Sequence, residues 1–190
     1  MTKEEAALLV SFIAMGLVVV SYFFKKKNVF LILQSAAIVF LILSYLFTGE
    51  YFAMVGIGIG LIRTLVYFAY ERDMKETPLY WTITFCVVTV AAYFTVNFWI
   101  LGNAKPVDVL YLASLILYAV VFRIRDLKWM RRLALMPIAL ALAYNIFANS
   151  TPFILASYSL ELAANLAAIL KFEVFDLRKI RGKTKEKKEE

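Results

Sequence analysis

The sequence predicts an all-α membrane protein: seven transmembrane helices, arranged as two parallel three-helix bundles joined by a linker helix. Three observations carry this prediction. First, 63% of the 190 residues are apolar and only 18% are charged, against about 45–50% and about 25% in soluble domains. Second, seven apolar stretches approach the roughly 20 residues that a helix needs to cross a bilayer core of about 30 Å. Third, the first three stretches resemble the last three at an offset near 100 residues.

The stretches are residues 6–24, 29–47, 51–70, 79–101, 107–124, 130–148 and 152–170. The first follows acidic Glu4 and Glu5 and lacks a basic leader and a small-residue cleavage site, so it reads as a helix and not as a signal peptide. The second begins after Lys25-Lys26-Lys27 and ends at Thr48-Gly49-Glu50. The third carries Arg63 behind the glycine-rich run Gly56-Ile57-Gly58-Ile59-Gly60. That run lies inside an apolar span, so it is no phosphate loop.

The fourth stretch, closed by Gly102-Asn103, has a polar stripe of Thr82, Cys86, Thr89, Tyr93 and Asn97, which predicts a face turned to protein, within the chain or between copies of it. The fifth is trimmed by Asp108 and Arg123, and the arginine can snorkel to the interface. The sixth ends at Asn149-Ser150-Thr151, and the seventh begins with Pro152, which suits a first helical turn. Trp81, Trp99 and Trp129 fall at segment ends, where indoles anchor at headgroup level.

The repeat rests on the loop pattern. Residues 45–50 align with 145–150, and the basic loop at 25–27 aligns with the basic loop at 125–132. This divides the chain into a first bundle (1–73), a linker helix (74–104), a second bundle (105–176) and a disordered basic tail (177–190). A single linker helix keeps both bundles in one orientation, the parallel-repeat layout of some transporters.

The net charge of +7 is an orientation signal. Eighteen Lys and Arg residues lie on the side of the first–second, third–fourth and fifth–sixth loops and the tail, against Lys3 and Lys105 on the other. The positive-inside rule puts the N-terminus outside and the tail in the cytoplasm of a multi-pass plasma (inner) membrane protein. A chain this apolar has no surface for a basic nucleic-acid groove. The basic tail is expected to grip anionic membrane lipids.

Several chemistries are excluded. With no His and only Cys86, a His-ligated zinc or haem, a Ser–His or Cys–His nucleophile and an internal disulfide are ruled out. No helix-interior Lys exists for a retinal Schiff base, and no chain of carboxylates exists for a proton pump. The sequence therefore predicts no enzyme, no metal and no cofactor.

Two charges lie well inside the predicted spans, Arg63 and Glu161. Each costs at least about 2.5–3.5 kcal/mol at mid-bilayer unless it faces protein or water. Their depths differ by about three residues, or roughly 4–5 Å of helix rise, so an Arg63–Glu161 salt bridge between the third and seventh helices is expected. Tyr158 and Asn165 share the helical face of Glu161, and Tyr67 lies on that of Arg63. A polar cavity lined by Arg63, Glu161, Asn165, Tyr158 and Tyr67 is one reading. A sealed Arg–Glu bridge with Gly56-x-x-x-Gly60 serving helix packing is the other. Asn145 and Gln34 are weaker candidates, with hydrogen bonding to a neighbouring helix as the plainer role.

The basic Lys25-Lys26-Lys27-Asn28, the turn at Gly49, Leu61-Ile62-Arg63-Thr64-Leu65 and Ala143-Tyr144-Asn145-Ile146-Phe147-Ala148-Asn149-Ser150 resemble the bacterial inner-membrane family of the YgjV type. The 3+1+3 layout is similar to the SWEET sugar transporters and the PnuC-type vitamin-precursor transporters. The SWEET likeness implies a solute held between the third and seventh helices, with Asn165 matching the seventh-helix Asn. Arg63 stands where the third-helix Asn would be, which leaves room for an anionic or zwitterionic solute. The resulting expectation is a small polar-solute transporter or facilitator working by alternating access, with a homo-oligomer left open. The alternative is a non-transporting sensor, assembly or scaffold protein with a structural Arg63–Glu161 pair.

Overall fold

The computed structural model describes residues 3–48, 51–96, 105–148 and 152–175. Seven α-helices and no strand occur among them: α1 (Lys3–Ser21), α2 (Lys27–Thr48), α3 (Tyr51–Arg72), α4 (Leu79–Phe94), α5 (Asp108–Arg123), α6 (Leu127–Phe147) and α7 (Pro152–Ile169). A π-helical turn, Leu170–Phe175, continues α7. The chain is thus an all-α membrane protein, with each helix except α4 within a few residues of its predicted stretch; α4 ends at Phe94, and residues 97–101 of its stretch lie outside the described residues. Three spans, Lys27–Phe47, Leu127–Phe147 and Phe153–Phe172, are long and apolar enough by themselves to cross a membrane, while Glu5–Ser21 and Leu79–Phe94 are shorter apolar helices. Trp99, Asn97, the turns at 49–50 and 149–151 and the tail at 177–190 lie outside the described residues.

Helices α1, α2 and α3 pack in succession, as do α5, α6 and α7; α4 lies against α3 and α5, and α1 meets α7. The stretches around the two basic loops, 21–31 and 121–131, match closely in burial, and the helices that follow them start 100 residues apart, at Lys27 and Leu127. Tyr22, Phe30 and Leu31 are buried in one, and Phe122, Met130 and Arg131 in the other. The offset of 100 also relates two cross-helix contacts. Ser11 and Ser44 share a 2.7 Å hydrogen bond, and Tyr111 and Tyr144 stack with centroids 5.0 Å apart.

The basic loops meet at one end of the fold and brace each other. Lys27 pairs with Glu71 at 3.3 Å. Arg123 donates to the Thr77 carbonyl at 3.1 Å, and Arg125 to that of Met74 at 3.2 Å. Met74 has a φ of 56°, the left-handed conformation that ends a helix, and the Lys75 amide closes the turn on Tyr70 O at 2.9 Å. Asp126 caps α6 by accepting from the Lys128 amide.

The predicted stripe of α4 does face protein where it is described: Thr82 and Thr89 are buried, while Tyr80, Ile83 and Val87 are exposed on the opposite face. The glycine-packing reading of α3 is not met. A Cβ at Gly56 or Gly58 would find nothing within 4 Å, and one at Gly60 would meet only the Arg63 side chain, at 3.9 Å.

Candidate functional site

Glu161 sits midway along α7, where a charge must be solvated by the fold itself. Two phenols do this. Tyr22, just past the end of α1, donates to Oε1 at 2.8 Å, and Tyr118 of α5 donates to the same oxygen at 3.2 Å. Hydrogen bonds to charged groups contribute about 1.5–3 kcal/mol each, enough to offset the insertion cost. Among the described residues no hydrogen bond reaches Oε2, and the residue is half-buried. One carboxylate oxygen is therefore anchored and the other is not.

Arg63 does not pair with Glu161, which corrects the expected salt bridge. Its Nη1 donates to the Leu115 carbonyl at 3.3 Å, and its guanidinium lies 5.4 Å from the centre of the Phe122 ring. The side chain is enclosed, with Nε buried and unpartnered. Leu115, Tyr118 and Phe122 all belong to α5, which stands between the two charges. Matching depth along two helices says nothing about a third helix in between. Arg63 is instead neutralised locally, by a carbonyl dipole and aromatic faces.

Beyond Glu161, away from the basic loops, four more tyrosines gather. Tyr45 lies three residues before the end of α2, Tyr144 three before the end of α6, Tyr111 three into α5 and Tyr158 six into α7. Tyr158 precedes Glu161 by one turn of α7, Tyr111 precedes Tyr118 by two turns of α5, and the Tyr111 and Tyr144 rings are centred 5.0 Å apart. These four tyrosines and Glu161 are half-buried and come from four helices.

The basic end is different. Tyr22, Phe30, Leu31 and Met130 have no exposure, and Arg131 retains 2%. Arg131 donates to the Phe24 carbonyl and lies 4.6 Å from the centre of the Phe172 ring. Lys25 and Lys171 approach the same ring at 5.5 and 5.4 Å. One aromatic ring, presented by the π-helical turn, thus collects three cations from three parts of the chain and closes this end.

Of the other predicted site residues, Tyr67 is fully buried. It donates to the Ala119 carbonyl at 2.7 Å and shares a 3.1 Å bond with Thr82, tying α3, α4 and α5 together. Asn165 is fully buried and donates to the Arg131 carbonyl at 2.8 Å, with its Oδ1 enclosed and unpartnered. Asn145 donates within α6 to Ala141 O at 2.7 Å. Gln34 bonds Ser21 at 3.0 Å, the helix-bridging role expected of it. Only Tyr158 and Glu161 of the predicted set share one accessible wall. Tyr22, Tyr45, Tyr111, Tyr118 and Tyr144 were not predicted. The spacing of Tyr111, Ser114 and Tyr118 on one face of α5 was the available signal. Among the described residues no cluster of His, Cys, Asp or Glu could hold a metal.

Seven helices among the described residues, with the Glu161 carboxylate hydrogen-bonded to Tyr22 and Tyr118 between them, define an all-helical membrane protein. The chain belongs to the bacterial inner membrane protein family Imp-YgjV, whose model matches residues 5–174. This makes it an inner-membrane protein. No curated protein and no solved structure matches it.

Proposed function

We propose that the protein is a non-enzymatic transporter or facilitator for a small polar solute, working by alternating access between the bundles 1–73 and 105–176. Seven crossings, with the N-terminus outside and the basic loops in the cytoplasm, follow from the charge bias. The observation that carries the reading is the asymmetry along the membrane normal. Large side chains are fully buried at the basic end, whereas Glu161 and the tyrosines beyond it are half-buried. This asymmetry supports a site reached from the outside.

The helix succession, with α4 between the two halves, suits the SWEET-like and PnuC-like 3+1+3 layout, in which bundles rock about a midplane site. Glu161 and Tyr158 form the binding wall. Tyr67 and Asn165 hold helices around it, Asn145 bonds within α6, and Arg63 stiffens the α3–α5 contact.

The test is labelling of Tyr158→Cys, in a Cys86→Ser background, by a membrane-impermeant maleimide in right-side-out and inverted vesicles. Reaction from both sides is expected. Reaction from the outside alone would leave a fixed cleft, as in a sensor or scaffold, and reaction from neither side would remove the cavity.

A further inference from the structure

The charge that the cavity presents identifies the solute. Arg63 is spent on the Leu115 carbonyl and the Phe122 ring and is enclosed by α5. An anionic partner in the cavity would meet a carboxylate and not this guanidinium. Among the described residues, both phenols donate to Oε1 of Glu161 and none to Oε2, so Oε2 is the atom left for a bound group. On the side of Glu161 away from the basic loops lie Tyr158, one turn before it on α7, and Tyr111, two turns before Tyr118 on α5, with the Tyr144 ring of α6 centred 5.0 Å from that of Tyr111. Aromatic faces attract cations through the ring quadrupole, most strongly where water is displaced. A lone carboxylate walled by tyrosines within a membrane therefore suits one chemical class.

We infer that the site takes a small organic cation bearing an ammonium group, held by Glu161 Oε2 and the rings of Tyr158, Tyr111 and Tyr144. This rests on the transporter reading and deepens it, replacing the anionic or zwitterionic solute that Arg63 suggests in the sequence. The ammonium supplies the counter-charge that no basic side chain supplies: among the described ion pairs Glu161 has none.

The experiment compares charged probes with neutral isosteres. The full chain in nanodiscs is titrated calorimetrically with choline and with 3,3-dimethylbutan-1-ol, which has carbon in place of the quaternary nitrogen. Ethanolamine and 1-propanol form the second pair. At least one cation should bind saturably, and at least about tenfold more tightly than its isostere. Glu161→Gln should remove that preference. Tyr158→Phe should keep it and Tyr158→Leu should reduce it several-fold, a contrast that a purely structural role would not produce. Equal affinity for cation and isostere, no saturable binding of either cation, or an undiminished preference in folded Glu161→Gln overturns the inference. Two-sided labelling of Tyr158→Cys without cation preference would leave the transporter and reject the ammonium solute. One-sided labelling with cation preference would do the reverse.

Discussion

Replacing Phe172 by Leu should unlock the basic end. The ring is approached by Arg131 at 4.6 Å, by Lys171 at 5.4 Å and by Lys25 at 5.5 Å. Arg131 is 2% exposed, so its contact belongs to the desolvated range of about 1–2 kcal/mol. The two lysines are exposed and belong to the range of about 0.5 kcal/mol each. Leucine keeps the position apolar but has no quadrupole, so the closed arrangement loses about 2–3 kcal/mol. At 1.4 kcal/mol per factor of ten, the ratio of closed to open should fall about 30- to 150-fold. The assay is the rate at which an impermeant maleimide reaches Tyr158→Cys from the basic-loop side of inverted vesicles. Phe172→Leu should speed that labelling by more than tenfold, and Phe172→Tyr, which keeps a ring, should leave it near the parent rate. Equal rates for the Leu and Phe proteins, with both folded, would refute the idea that this ring closes the end.

Three further outcomes follow from the same geometry. Tyr67→Phe removes the bonds to Ala119 O and Thr82 and should cost about 1 kcal/mol, near the measured range for hydrogen bonds between membrane helices, read as a lowered denaturation midpoint in detergent with the helical signal retained. Lys27 and Glu71 have side-chain exposures of 5% and 15%; Lys27→Met alone should cost about 3 kcal/mol by stranding a buried carboxylate, whereas Lys27→Met with Glu71→Leu should cost less than the single change, a pattern that a double-mutant cycle detects. A fluorescent protein fused after residue 190 should fold and fluoresce in the cytoplasm, while alkaline phosphatase at the same place should be inactive.

The seven helices were legible because each is a run of apolar residues ended by charges or turn residues, and length alone separates them. The polar stripe of α4 was legible for the same reason, since Thr82 and Thr89 recur at helical spacing. Arg63 and Glu161 were legible as costly charges. Their pairing was not, because rise along a helix fixes depth but not the azimuth, and α5 stands between them. The tyrosine wall was hidden by composition. Tyrosine counts among the apolar residues in the composition and as an interface anchor in a membrane reading, so nothing in the sequence sets Tyr22 apart. Its hydrogen bond to Glu161 spans 139 positions, a distance that only packing could close. The closing of the basic end on Phe172 depends on a π-helical turn, for which the sequence has no plain signal.

The central claim is that the two halves rock about Glu161 and the tyrosines, exposing them to each side in turn. Spin labels at Lys26→Cys and Lys128→Cys, exposed positions in the basic loops of the two halves, report this motion by double electron–electron resonance in nanodiscs with Cys86→Ser. The account predicts two interspin distances, with the longer one gaining population when Phe172→Leu is added. A single distance that Phe172→Leu leaves unchanged would contradict it.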